Sequence, residues 1–397
     1  MDEGKETKGT RSKGDTEEER DRLGKLPENV LLHIMNFMET RHAVQTCVLS
    51  KRWNNLWKSL TTLTFHHFRR INVNKFVSRV LSDRDDSISL LNLCLSGLDQ
   101  AESGHLIWAT RYAASHNVQQ LTIHLPYKFT NILNCFDPLT LSCPSLTSLE
   151  LHKECCGPPL EIPKSLQLPA LKSLLLEYVS FTATDNGCAE PFSTCHSLNT
   201  LVLCSLHIDA KVLFISNSNL SILNLKDLKI LDTIQQKIVF STPNLSSLTI
   251  TNYLGFSHQP FSSTCNLSCL EEGTIHTTTY ISYSVFIGWL QLFANVKILK
   301  LSYDTLRILK DLSNHATTRT QPPCFARLES LKVKIIPYLE MSDEEVNRAV
   351  EYFRTLLIRV AVINRWNLQQ WCSRMGCFPA CFGLSKKRMR PKRFYRL

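Results

Sequence analysis

The six residues LTSLEL, Leu146 to Leu151, carry leucine at the first, fourth and sixth places, and the same spacing returns through most of the chain. Leu90-Leu93-Leu95, Leu171-Leu174-Leu176, Leu198-Leu201-Leu203 and Leu220-Leu223-Leu225 repeat it outright. Val118-Leu121-Ile123, Leu245-Leu248-Ile250, Val296-Leu299-Leu301 and Leu328-Leu331-Val333 repeat it with conservative exchanges. Leu270 with Ile275 is a degenerate copy that holds Gly273 where a leucine belongs. The copies start at 90, 118, 146, 171, 198, 220, 245, 270, 296 and 328, so successive starts lie 22 to 32 residues apart. In each copy the last two apolar residues, two places apart, face one side of a short strand, and the first closes the same core from the preceding turn. One copy buries too little to order itself, so the reading requires stacked copies. Proline before the strand, as in Cys143-Pro144-Ser145-Leu146, Leu168-Pro169-Ala170-Leu171 and Thr242-Pro243-Asn244-Leu245, is expected to bias its predecessor toward extended backbone and to stay off the ladder.

Upstream of the repeats lies a different periodicity. In LPENVLLHIMNFMETRHAVQTCVLSKRWNNLWKSL, Leu26 to Leu60, Pro27 pre-sets the start of a helix whose apolar positions are Val30, Leu31, Ile34, Phe37 and Met38. Thr40 reads as the N-cap of a second helix carrying Ala43, Val44, Cys47 and Val48, and Ser50 as the cap of a third carrying Trp53, Leu56 and Trp57. Three helices this short need something further to bury against, either the rest of the chain or a partner. Thr61 to Phe68 alternates enough to begin a strand, and Val73 to Leu81 reads as helical.

The residues Leu26-Pro27, Val30-Leu31, Ile34, Met38, Val44, the run Cys47 to Trp53 and Trp57 resemble the F-box, with His42 standing where that family often has an acid. The wording LSKRWNNLWKSL is similar to the plant branch of the family, and the period of the remainder resembles leucine-rich repeats, though the asparagine or cysteine common after their strands is mostly missing. The resemblance implies an α/β fold, an N-terminal three-helix F-box followed by an irregular leucine-rich-repeat solenoid with a parallel concave sheet. It implies a non-catalytic substrate-recognition subunit of an SCF-type cullin-RING ubiquitin ligase, docked on a Skp-type adaptor through Leu26, Pro27, Leu31, Ile34, Val44, Leu49 and Trp53. A non-ligase interaction scaffold and a small-molecule sensor are the rival readings.

The expected divisions are a disordered polar leader over 1–22, the F-box over 23–62, the solenoid over 63–340, a capping helix over 341–362 opened by Ser342 and Glu345, and a tail over 363–397. The formal net charge is +10, and Lys386, Lys387, Arg388, Arg390, Lys392, Arg393 and Arg396 in the last twelve residues account for all but +3 of it. That basic tail reads as a solvated end or a nuclear import signal ahead of a nucleic-acid contact. Fifteen cysteines, odd in number and irregularly spaced behind no signal peptide, read as reduced thiols of the cytosol or nucleus. Cys372, Cys377 and Cys381 lack a suitably spaced fourth metal ligand. No run is long and apolar enough for a membrane span, and no phosphate loop, HExxH or nucleophile elbow occurs, so no cofactor is expected.

Strand alternation also names a face for an unknown protein substrate. The residues flanking the last leucine of each copy point away from the core, and they include Gln120, Thr122 and His124, Glu150 and His152, Glu177, Asn224 and Lys226, Thr249, Lys300, and Lys332 with Lys334. Glu150, His152, Glu177, Lys226, Lys300, Lys332 and Lys334 are the candidates for target contact, with charge drifting from acidic to basic.

Overall fold

A computed structural model describes residues 23–66, 72–97, 103–125, 128–131, 143–163, 165–166, 168–184, 186–227, 237–252, 261–278, 283–302, 304–306, 308 and 325–334. The leader over 1–22, the capping helix over 341–362 and the tail with its three cysteines lie outside the described residues.

The main sheet has eleven parallel strands. They are β1 (Thr62–Phe65), β2 (Asn92–Leu95), β3 (Gln120–Leu125), β4 (Ser148–Lys153), β6 (Ser173–Glu177), β9 (Thr200–Cys204), β12 (Ile222–Lys226), β14 (Ser247–Asn252), β16 (Glu272–Thr277), β17 (Ile298–Ser302) and β18 (Ser330–Lys334), neighbours in that order. Ten of them are the ten leucine-spaced copies, and β1 is the alternating stretch that follows the helices. Side chains alternate strictly through most strands, with Leu149 and Leu151, Leu174 and Leu176, or Leu201 and Leu203 buried and the residues between them half-exposed. Before each strand a single carbonyl accepts two amides of the next copy. Gln119 O takes Thr147 N and Ser148 N, Thr147 O takes Lys172 N and Ser173 N, and the pattern runs on to Lys297 O with Glu329 N and Ser330 N. This ladder fixes the register from one copy to the next.

The prolines also shape the turn that leads into the strand. Leu146 N donates to Cys143 O and Leu245 N to Thr242 O, so Pro144 and Pro243 occupy the second place of a tight turn, where their fixed φ is an advantage. The degenerate copy also has a physical reason. A Cβ on Gly273 would collide with the fully buried ring of Phe293, which fills the space a leucine would take.

Behind the main sheet the copies are completed unevenly. Three of them use helices, α3 (Val73–Asp83), α4 (Ser103–Ser115) and α5 (Tyr283–Leu292). Asn72 caps α3, its Oδ1 accepting from Lys75 N at 2.9 Å. Others use short parallel strands: β5 (Leu160–Ile162), β7 (Val179–Thr182) and β10 (His207–Asp209) form one small sheet. β8 (Cys188–Ala189), β11 (Val212–Ser216), β13 (Lys237–Ser241) and β15 (Phe261–Ser263) form another. The sequence reading foresaw only variable segments there.

The N-terminal helices are α1 (Glu28–Met35) and α2 (Thr40–Gln45), the latter continued by a 3-10 turn at Thr46–Val48. The third helix read from Ser50 is instead a series of turns ending in a 3-10 segment, Leu56–Ser59, as fits the poor helix propensity of Asn54-Asn55. Thr40 is not a cap: it lies inside α2, buried, and its Oγ1 accepts from Thr64 N of β1 at 2.8 Å. Asn36 Oδ1 accepts from Thr62 N at 3.3 Å, so two side chains of the helical segment satisfy the free edge of the first strand. Buried Arg84 adds a second tie. Its guanidinium donates to Leu60 O at 2.9 Å and 3.1 Å, to Ile88 O at 2.8 Å and to Ser89 O at 3.0 Å. Helices and sheet share one continuous apolar core from Leu31 to Val333.

Candidate docking surfaces

The broad apolar face read on α1 divides in two. Leu31 and Met35 are fully buried and Met38 packs partly against them, whereas Val30, Ile34 and Phe37, at spacings of four and three, stand on the other side in solvent. Phe37 is 80% exposed, and beyond α2 Val48 and Leu49 are 87% and 61% exposed. Arg52 joins these segments: its guanidinium donates to Gly24 O and Leu26 O, drawing the chain ahead of α1 against the turn that follows Leu49. The helical segment thus leaves several large apolar side chains exposed: Phe37, Val48 and Leu49 strongly, and Val30 and Ile34 at 37% and 38%.

The seven side chains assigned to adaptor contact fall into three groups. Pro27, Ile34 and Leu49 are exposed, Leu26 and Val44 are partly buried against the core, and Leu31 and Trp53 are 0% and 6% exposed. Leu31 and Trp53 therefore hold the helical segment together from inside, and their side chains offer no surface in this fold. Phe37 and Val48, which lie outside the seven, are the most exposed large apolar side chains of the segment; the sequence reading places both on apolar helix faces and leaves open whether the chain or a partner covers them. Periodicity marks which residues share a face and is blind to what covers it.

The open face of the main sheet is polar by contrast. On its first strands the rings of His124 and His152 stack with centroids 4.6 Å apart. His152 Nδ1 lies 2.7 Å from Glu177 Oε2 and its Nε2 lies 3.6 Å from Glu150 Oε2, which also accepts from Thr122 Oγ1 at 3.4 Å. The hydrogen bond to Glu177 raises the pKa of His152 above that of an ordinary imidazole, against the effect of burial. Burial lowers that of His124, and the neighbouring His152 and His66 lower it further. Burial pushes the Cys94 thiol up to about 11 and the Cys204 thiol up to about 12, so both are protonated. Among the described residues no three His, Cys, Asp or Glu side chains converge well enough to hold a metal ion.

The basic end is less basic than the sequence reading held. Lys300 is tied to Glu272 at 2.6 Å, a carboxylate at the start of β16 that the reading left out, and Lys297 to Glu271 at 2.7 Å. Lys226 and Lys332 are half-buried and make no ion pair among the described residues. The backbone of Lys334 pairs with Ser302, and its side chain lies outside the description.

Comparison with known proteins follows the same division. Residues 23–64, the helical segment through β1, match the F-box domain family. The chain is 31% identical over 214 residues to an FBD-associated F-box protein of Arabidopsis thaliana, covering 52% of this chain and 46% of that protein. It is 29% identical over 238 residues to an F-box/FBD/LRR-repeat protein of the same plant, covering 57% and 50%. To an F-box/LRR-repeat protein it is 29% identical over 253 residues, covering 60% and 56%. The chain spans about half the length of the curated relatives it matches.

Proposed function

We propose that this chain, an F-box segment joined to a leucine-rich-repeat solenoid similar to those of plant F-box/LRR-repeat proteins, is the target-recognition subunit of an SCF-type ubiquitin ligase. The F-box docks on a Skp-type adaptor, the solenoid holds the target, and the chain acts by raising the local concentration of that target beside a ubiquitin-charged enzyme rather than by catalysing a step. The observation that carries the reading is the exposure of the large apolar side chains Val30, Ile34, Phe37, Val48 and Leu49 within the segment that matches the F-box family. Large apolar side chains left exposed within so short a segment favour an interaction site.

The test is co-purification of the full chain with a Skp-type adaptor. Wild type retains the adaptor, and Phe37→Asp with Leu49→Asp loses it while the thermal unfolding of the chain stays unchanged, because both side chains are mostly in solvent. Retention of the adaptor by the double variant would show that this surface is not the docking site.

A further inference from the structure

β4, β6, β9 and β12 are consecutive neighbours in the main sheet. Their register aligns Glu150 with Leu175, Leu175 with Val202, and Val202 with Asn224 across the open face. Two residues further along the strands, Glu177, Cys204 and Lys226 form a second aligned row. The face thus presents carboxylates on β4 and β6, an apolar middle on β6 and β9, and a cation on β12.

Each part of that pattern is available to a ligand. His152 neutralises at most one of the two carboxylates it touches, and the Cys204 thiol adds no charge of its own. Leu175 and Val202 are half-exposed at positions where most of the sheet carries polar residues. Lys226 makes no ion pair among the described residues, whereas Lys300, further along, is already matched by Glu272. Tyr178, Ser205 and Asp227, the residues directly after Glu177, Cys204 and Lys226, adopt left-handed φ values of 57°, 52° and 47°. Each follows the last residue of its strand, so Glu177, Cys204 and Lys226 end β6, β9 and β12.

Neighbouring strands lie about 4.8 Å apart, so the carboxylates and Lys226 are separated by roughly 10 to 14 Å across the sheet. An extended chain covers that span in about three to four residues. We propose that this patch binds an extended segment of a partner protein that carries a basic and an acidic residue three or four positions apart, with a large apolar residue between them. The basic residue lies over Glu150 and Glu177, the apolar one over Leu175 and Val202, and the acidic one on Lys226. Opposed charges fix the direction of the segment, and the apolar contact adds affinity without direction. The proposal deepens the target-holding role above and rests on it for its biological setting.

The experiment is fluorescence anisotropy with the full chain and labelled peptides in which Arg-Ser-Leu-Ser-Glu is flanked by Gly-Ser. The wild type binds this peptide, and binds about tenfold more weakly when leucine is replaced by serine or when the charges are set eight positions apart. Lys226→Glu weakens binding of the parent peptide about tenfold and shifts preference to a peptide with arginine at both ends. Lys226→Gln loses affinity without that shift. Undetectable binding by the wild type, equal binding of the eight-position peptide, or an unchanged preference in Lys226→Glu overturns the proposal. Adaptor capture measured on the same preparations reports separately on the ligase reading, since it involves none of these side chains.

Discussion

The helical surface and the open face of the main sheet differ in the way they meet solvent. On the first, Phe37, Val48 and Leu49 are 61% to 87% exposed beside the more covered Val30 and Ile34, while on the second Leu175 and Val202 are mostly covered by their neighbours. A surface of the first kind suits one constant partner that buries it, because apolar burial is strong and carries little direction. A surface of the second kind suits choice among partners, since charges and hydrogen bonds discriminate more than they bind. In the function proposed above, strength and selectivity fall on two faces, which the hydrogen bonds of Asn36, Thr40 and Arg84 tie together.

Placing one carboxylate on each face sharpens that contrast most. Val48→Asp is expected to weaken adaptor capture by more than a hundredfold and leave peptide binding untouched, and Val202→Asp to weaken peptide binding about tenfold and leave adaptor capture untouched. Pull-down and anisotropy on the same two variants give the comparison. A loss that crosses from one face to the other would mean the faces are not independent.

The interior of the sheet should tolerate far less than either surface. Gly273→Ala sets a Cβ against the buried Phe293 ring, and overpacking of this kind costs about 1 to 3 kcal/mol. Urea unfolding reads it as a lower midpoint with an unchanged slope. An unaltered midpoint would show that the ring can move aside and that the degenerate copy is loosely packed.

How much of this the sequence revealed depends on the kind of signal. Leucine spacing located ten strands of the main sheet and alternation located β1, because a buried row needs one residue type at fixed intervals. The strands behind it, such as Val179–Thr182 and His207–Asp209, escaped notice because they are short and have no repeated residue. Thr40 was read as a cap since threonine favours that place, yet the amide of Thr64 across the junction competes for its oxygen. The exposure of Phe37 and the pairing of Lys300 with Glu272 are facts about what lies opposite a residue, which periodicity does not contain.

The junction itself offers a smaller test. Asn36→Ala with Thr40→Ala removes two acceptors from the edge of β1, and each such hydrogen bond contributes about 0.5 to 1.5 kcal/mol. Amide exchange at Thr62 and Thr64 should quicken, while adaptor capture and peptide affinity measured separately stay the same. Unchanged exchange would place the stiffness of the junction on Arg84 alone.

The smallest expected effect lies in the stacked imidazoles, and its sign differs between the two rings. His152, held by Glu177, keeps its proton to higher pH in the folded chain than an ordinary histidine. The stability it lends is complete below the ordinary value of about 6.5 and is lost as pH rises through its folded pKa. Buried His124 gives up its proton more readily than usual, so the folded chain loses stability as pH falls from about 6.5 through that lower value. Together these two rings place a shallow maximum of stability near the ordinary histidine pKa, about 6.5. Glu177→Gln removes the main cause of the first shift, so His152 should titrate closer to the usual value. His124 should shift down rather than up, because the substitution also removes the Glu177 charge that holds its pKa up, while His152 still carries its proton over the lower pH range where His124 titrates. Imidazole proton resonances followed against pH resolve the two rings. An upward move of His124 would show instead that the charge on His152, and not that on Glu177, dominates what the second ring feels.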